Sequence, residues 1–171
     1  MLTIVTSLKN ELKKLKNRIV VFLLVGALFA VIGLIVISVL NVSLIIGAFR
    51  IVPGGGFRLF VCYLISLVFF LFTGFTVSVL YLSRKPCDQN VKKAITDVMI
   101  SYTLRLLWLI LFFNYGHFVL SLILNFASVV FLIFSVICSR KSNGLALLFE
   151  CFMIVLEVSI MLYNIKMIII F

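Results

Sequence analysis

Five long apolar runs divide the chain, and each is about as long as a helix that crosses a bilayer. A transmembrane helix needs about 20 apolar residues. Lipid offers the backbone no hydrogen-bond partner, so a spanning segment must pair its own peptide groups, as a helix does and an open strand does not. The runs therefore predict an all-α membrane protein, a five-helix transmembrane bundle with spans at 19–40, 57–82, 95–114, 118–138 and 144–169.

The composition agrees with a chain that is surrounded mainly by lipid. Of the 171 residues, 65% are hydrophobic and 12% are charged, whereas a soluble domain is about 45–50% apolar and about 25% charged. A chain of this length has too little interior to bury so much apolar surface. We therefore expect residues 19–171 to form one transmembrane domain with the lipid bilayer as its main partner.

The basic residues lie in short clusters between the apolar runs, and this distribution predicts the orientation. In a soluble protein a net charge of +10 would suggest nucleic acid as a partner, but clusters beside spans are typical of topology signals. With the N-terminus in the cytoplasm, eleven cations lie inside: Lys9, Lys13, Lys14, Lys16, Arg18, Arg84, Lys85, Lys92, Lys93, Arg140 and Lys141. Three lie outside: Arg50, Arg58 and Lys166. We expect a bacterial cytoplasmic membrane and no nucleic-acid partner.

Residues 1–18 form a separate basic N-terminal segment. Leu8, Leu12 and Leu15 recur at helical spacing with lysines around them. The segment is either an amphipathic helix on an anionic leaflet or a short solvated extension that leads into the first span.

Three charged residues fall inside the predicted spans, where a charge costs a few kcal/mol or more and usually faces a partner or a cavity. Arg105 is ten residues into the third span, and Glu157 is thirteen residues into the fifth, so both lie near the middle of the bilayer. Glu150 is seven residues before Glu157 and shares its helix face. We expect a buried Arg105–Glu157 ion pair with Glu150 as a second acceptor. The pair either clamps two helices, lines a ligand cavity or belongs to a proton or transport path.

Other polar residues receive structural interpretations. We expect the hydroxyls of the second span, Ser66, Thr73, Thr76 and Ser78, to bond back to their own helix. Asn143 is positioned to cap the fifth helix, and Gly33 to allow close helix packing. Four cysteines without CxxC spacing and a single histidine do not indicate a metal site. The sequence contains no constellation typical of hydrolysis or group transfer.

The run RLLWLILFF at 105–113, a turn, a fourth apolar helix and then SRKSNGLALL at 139–148 resemble the TspO/MBR family. These are the tryptophan-rich sensory proteins that include the translocator, or peripheral benzodiazepine receptor. In the third-helix pattern N-x-x-W-S-x-x-F-F, Trp108, Phe112 and Phe113 match, and the asparagine position is Arg105. The resemblance covers roughly residues 57–165. The chain departs from the family in having one tryptophan, no Pro-Pro before the second helix and a shorter first loop, which marks a divergent member.

The other family patterns place further residues. In the second-helix pattern W-x-x-L-Y-x-x-M-G, Gly74 matches, the tyrosine position is Phe70 and the tryptophan position is Ser66. In the fifth helix, the Pro-Tyr-x-x-Trp pattern and the small residue after it fall on four residues of this chain: Phe149, Glu150, Met153 and Glu157.

The resemblance implies a hydrophobic ligand, such as a porphyrin, haem or lipid-like molecule, in a cavity within the bundle. Arg105 and Glu157 then replace two residues of one cavity, and Arg105 meets a ligand carboxylate. The expected walls are Ser66, Phe70, Trp108, Phe112 and Met153. No cofactor is required, and family members often form homodimers. Some relatives break down porphyrin, but the tryptophans expected to take part are mostly missing here, which favours a binding or sensory protein over an enzyme.

Two alternatives come from other classes of protein. One is a small transporter, or transporter subunit, that moves a polar solute past Arg105 and the two glutamates. The other is a structural membrane protein with a packed core and no ligand.

Overall fold

The computed structural model describes residues 19–39, 55–83, 89–140 and 143–170. Within them the chain forms five α-helices: α1 (Ile19–Val39), α2 (Gly55–Ser83), α3 (Gln89–Tyr115), α4 (Phe118–Ser139) and α5 (Gly144–Ile170). Each is long and apolar enough to cross a membrane. The prediction of an all-α, five-helix bundle is confirmed, and the protein is a multi-pass membrane protein. The predicted N-terminal segment, 1–18, lies outside the described residues.

The helix bounds follow the predicted spans except at the start of α3. This helix begins at Gln89, six residues before the predicted span. Its first turns carry Lys92, Lys93 and Asp97, which lower the hydropathy, but Val91 and Ala94 on the opposite face are buried. Helix α3 is therefore longer than its apolar run. Its first turns are amphipathic, with an apolar face toward the bundle and charged residues on the other face.

Four helices close into a ring, and α1 lies outside it. Helix α2 packs on α3, α3 on α4, α4 on α5 and α5 on α2, while α1 lies mainly against α2. The buried residues of α1 are small, namely Gly26, Ala30 and Gly33. The core of the molecule is thus enclosed by α2 to α5.

Two of the short connections contain described residues with clear local roles. Gly116 joins α3 to α4 with a φ of 64°, a conformation that glycine adopts without a Cβ clash. At the other connection, the Oδ1 of Asn143 accepts hydrogen bonds from the backbone N–H groups of Leu145 and Ala146, both at 3.0 Å. The prediction that Asn143 caps the fifth helix is confirmed.

Candidate functional site

Helix α4 carries its polar residues on the face that points into the bundle. Its buried residues follow one another at intervals of four and three, which keeps them on one side of a helix. They are Ser121, Asn125, Ser128, Leu132, Ser135 and Ser139. Five of these six positions are polar, and the opposite face, toward lipid, is apolar. Sequence reasoning missed this polar stripe, although its spacing was visible in the fourth apolar run.

Helix α5 carries a matching stripe in which polar residues recur every seven positions. Its members are the capping residue Asn143, just before the helix, and then Glu150, Glu157 and Asn164, and all are buried. Helix α3 contributes Ser101 and Arg105, also buried. The three helices therefore meet along polar faces. We divide these faces into levels along the axis of the bundle. The levels are named from the basic end, which is the end where the exposed Lys92, Lys93 and Arg140 lie.

The central level consists of Ser66, Ser101, Arg105, Asn125, Ser128 and Glu157. The Nη1 of Arg105 lies 3.1 Å from the Oε2 of Glu157, and the two side chains are 1% and 0% exposed. The ion pair predicted from the sequence is therefore present. Its two residues are 52 positions apart in the chain, so the fold itself brings them together.

Hydrogen bonds from four helices surround this ion pair. The Nη1 of Arg105 also donates to the Oδ1 of Asn125 at 3.2 Å, and its Nη2 donates to Ser66 Oγ at 2.9 Å. The other oxygen of Glu157 accepts from Ser128 Oγ at 3.0 Å. Ser128 in turn lies 2.6 Å from Ser101. The two charges thus pair within a shell of neutral polar groups, which favours a buried ion pair. The Nε of Arg105 is buried without a hydrogen-bond partner among the described residues.

Aromatic rings cover the ion pair on one side. The guanidinium carbon of Arg105 lies 4.1 Å from the ring centroid of Trp108 and 5.8 Å from that of Phe69, within the range of a cation–π interaction. Trp108 stacks on Phe112 at 4.9 Å. The arginine and the only tryptophan of the chain therefore form one unit with Phe112.

The level nearest the basic end, the basic-end level, consists of Ala94, Ser135, Ser139 and Glu150. The carboxylate of Glu150 accepts from Ser135 Oγ at 2.6 Å and from Ser139 Oγ. Ser135 Oγ also lies 3.1 Å from the carbonyl oxygen of Ala94. Glu150 is not the second acceptor predicted for Arg105. Seven residues return it to the same helix face but move it about 10.5 Å along the axis.

The third level, the far level, consists of Trp108, Ser121 and Asn164. It follows from the register of the helices. On α3, α4 and α5, seven residues separate Ser101 from Trp108, Ser128 from Ser121 and Glu157 from Asn164. Because Ser128 bonds both Ser101 and Glu157, the next two turns place the far level's residues opposite one another.

The remaining predicted wall residues have other contacts. Phe70 packs edge-on against Tyr102 at 5.3 Å, beside Gly33. The sulfur of Met153 lies 3.7 Å from Thr76 Oγ1. All seven predicted ligand residues are at most 1% exposed: Ser66, Phe70, Arg105, Trp108, Phe112, Met153 and Glu157. In this structure they pack against protein.

Two grooves of the described surface lie elsewhere, on lipid-facing positions. One, of about 560 Å³, is lined by Gly116, His117, Phe118, Val119, Leu120, Ile123 and Ile168. The other, of about 440 Å³, is lined by Phe72, Leu148, Phe149, Cys151, Phe152 and Val155. Neither includes a predicted ligand residue.

The hydroxyls of α2 were predicted to bond back to their own helix, and three do so. Ser66, Thr73 and Thr76 donate to the carbonyl four residues earlier at 2.7, 2.9 and 2.8 Å. Ser66 also accepts from Arg105, so its hydroxyl links the helix backbone to the ion pair. The prediction is wrong for Ser78, whose buried Oγ has no hydrogen-bond partner among the described residues.

Comparisons of the chain with protein-family models, curated proteins and solved structures give no match. The resemblance to the TspO/MBR family therefore rests on the residues quoted above.

Proposed function

We propose that this protein is a membrane-bound binding or sensory protein of the TspO/MBR type. It holds a hydrophobic molecule, such as a porphyrin, haem or a lipid-like compound, between α2, α3, α4 and α5. Its lysine and arginine distribution favours a bacterial cytoplasmic membrane with the N-terminus inside. It binds rather than transforms its ligand.

The observation that supports this proposal most is the Arg105–Glu157 contact. The family patterns of the third and fifth helices assign these two positions to one cavity, although they lie on different helices. Side chains of Arg105 and Glu157 on opposite faces of the bundle would have contradicted this assignment to one cavity. The two side chains instead meet at 3.1 Å, with Trp108 at the same place. The contact supports an architecture shared with the TspO/MBR family. It also explains why both positions carry charges, because each charge neutralises the other.

Binding would require the closed core to rearrange. Trp108 and Phe112 stack on one another and cover Arg105, so a planar aromatic ligand would replace ring contacts that the protein now makes with itself. A ligand that stabilises one arrangement of the rings over another shifts the population of conformations. This is the property that a sensory protein needs.

The test is a titration of the detergent-purified protein with protoporphyrin IX. Trp108 is the only tryptophan, so its fluorescence reports from the core. We expect saturable quenching and a shifted porphyrin absorption band. The double variant Arg105→Gln/Glu157→Gln, which leaves no single buried charge, should bind more weakly, whereas the lipid-facing control Leu107→Ala should bind as the native protein does. Quenching that rises linearly in every sample would mean partition into the micelle and would overturn the proposal.

The transporter alternative is favoured by a separate observation. Carboxylates and hydroxyls line α4 and α5 from Ser139 and Glu150 near the basic end to Glu157 at the centre, an arrangement found in proton relays. Proton-coupled uptake by proteoliposomes that is lost in Glu157→Gln would support this alternative. A structural protein would show neither saturable binding nor uptake.

A further inference from the structure

We propose that the far level, Trp108, Ser121 and Asn164, binds the polar end of the ligand, and that this end is a neutral hydrogen-bond acceptor. The carbonyl oxygen of an ester, amide or ketone fits this description, and an ionised carboxylate does not. The inference rests on the proposed function and deepens it. It moves the polar contact from the guanidinium of Arg105, which the family resemblance had favoured, to the level one heptad beyond Ser101, Ser128 and Glu157.

Every side-chain polar group of the far level is unpaired among the described residues, whereas those of the other two levels are paired except for Arg105 Nε and Asn125 Nδ2. The Nε1 of Trp108, the Oγ of Ser121 and both amide atoms of Asn164 are buried and have no hydrogen-bond partner among the described residues. All three residues are 0% exposed. Buried polar groups in proteins are nearly always paired, because an unpaired one loses its hydration without compensation. Three such residues at one level of three neighbouring helices indicate a place built to meet a ligand.

A fourth residue with an unpaired polar atom points the same way. The Oδ1 of Asn125 accepts from Arg105, but its Nδ2 has no partner in the described part of the chain. Asn125 is four residues after Ser121 on the same face of α4. Asn125 is the residue of the central level on α4 that lies nearest Ser121, so its unpaired N–H₂ extends the set of donors toward Arg105.

The chemistry of these groups selects the class of ligand. Trp108 N–H and the amides of Asn125 and Asn164 are donors, while the oxygens of Asn164 and Ser121 can accept. The set is rich in donors and carries no formal charge. The nearest cation, Arg105, is already neutralised by Glu157. An ionised carboxylate placed here would be a buried charge without a counter-ion, which is costly, whereas a carbonyl oxygen needs only the donors.

Aromatic rings supply the apolar surroundings that such a site requires. Trp108 stacks on Phe112 at 4.9 Å and meets Phe113 edge-on at 5.8 Å. Phe118, one turn before Ser121 on α4, lies 5.2 Å from Phe112. The unpaired groups therefore share one level of the bundle with flat apolar surfaces, the combination that binds a ring system bearing a carbonyl group.

The experiment compares protoporphyrin IX with its dimethyl ester, which has the same ring but no carboxylates. Absorbance of the porphyrin band follows binding to the detergent-purified native protein and to Asn164→Leu and Ser121→Ala. We expect the ester to bind at least as tightly as the acid. Each variant should weaken ester binding, on the order of tenfold for Asn164→Leu, the value of one or two lost hydrogen bonds.

Matched controls separate binding from folding. Ser159→Ala removes a hydroxyl from the exposed face of α5, where Ser159 bonds back to Val155, and should leave affinity unchanged. The thermal midpoint of ligand-free Asn164→Leu should equal or exceed that of the native protein, because the change removes unpaired polar atoms from the core. A merely structural Asn164 would lower the midpoint instead.

The outcomes distinguish this inference from the proposed function. If neither porphyrin binds saturably, the proposed function fails and the far-level site with it. If the free acid binds much more tightly than the ester, or if Asn164→Leu binds both as the native protein does, the proposed function stands and the far-level site is wrong.

Discussion

The contact between α1 and α2 and the core between α3, α4 and α5 hold helices together in different ways. The first depends on shape: glycine lets the backbones approach, and rings fill the space beside them. The second depends on polar pairing, with an ion pair and hydrogen bonds at successive levels. Lipid tails are as apolar as leucine, so apolar burial alone does not favour helix contacts in a membrane. Shape fixes how close two helices lie, whereas polar pairing also fixes their register.

The largest effect is expected from removing one member of the ion pair. Arg105→Leu leaves the carboxylate of Glu157 buried without its cation, which should cost about 3–5 kcal/mol of the free energy of unfolding. Thermal unfolding in detergent measures it. The double variant Arg105→Leu/Glu157→Leu should recover most of the loss, since no unpaired charge remains. If the single variant unfolds at the native temperature, the ion pair does not hold the helices together.

The next effect tests the contact based on shape. A Cβ added at Gly74 would lie 2.7 Å from the Cα of Gly26 and from the backbone oxygen of Val25. Backbone atoms cannot rotate away, so Gly74→Ala should separate α1 from α2 and lose about 1–3 kcal/mol. At Gly26 the added Cβ would meet the ring of Phe75, a partly buried side chain, and a side chain shifts at less cost than a helix backbone. Gly26→Ala should therefore lose less in the same measurement, and equal losses would contradict this account.

The close approach at Gly33 was predictable from the sequence, because small residues are common where membrane helices touch. The structure confirms it, because a Cβ on Gly33 would clash with the ring of Phe70. The five spans were predictable for an equally general reason, since lipid permits long apolar segments no other common backbone structure. The Arg105–Glu157 pair followed from the depth and charge of two residues.

The organisation into levels was not predicted, for physical reasons. Helix periodicity gives the direction of a side chain but not its height against a neighbouring helix, so Glu150 was assigned to Arg105 although it lies two turns away. Each serine of α4 is unremarkable alone, and only the repeat from Ser121 to Ser139 marks the stripe. Whether the amide atoms of Asn164 are paired depends on where every neighbouring polar group lies. One sequence does not contain that information.

A smaller effect is expected where the polar stripe of α5 begins. Asn143→Ala removes the acceptor for the N–H groups of Leu145 and Ala146. Loss of such a cap typically costs about 1 kcal/mol, and Asn143→Asp should retain the acceptor and most of the stability. Denaturant unfolding in mixed micelles measures both variants. A loss as large as that of Arg105→Leu would mean that Asn143 does more than cap its helix.

The smallest effect tests whether one neutral hydrogen bond in the polar core stabilises the protein more than the close packing of α1 on α2. Ser101 lies 2.6 Å from Ser128, which also donates to Glu157. Ser101→Ala leaves the Ser128–Glu157 bond in place, so only one neutral pair is lost. Such bonds between membrane helices average about 0.6 kcal/mol, below the loss expected at Gly74. Thermal unfolding of Ser101→Ala, with the lipid-facing Ser159→Ala as control, decides the order. A loss greater than that of Gly74→Ala would contradict this order and would mean that polar pairing at the central level stabilises the bundle more than the close fit of α1 on α2.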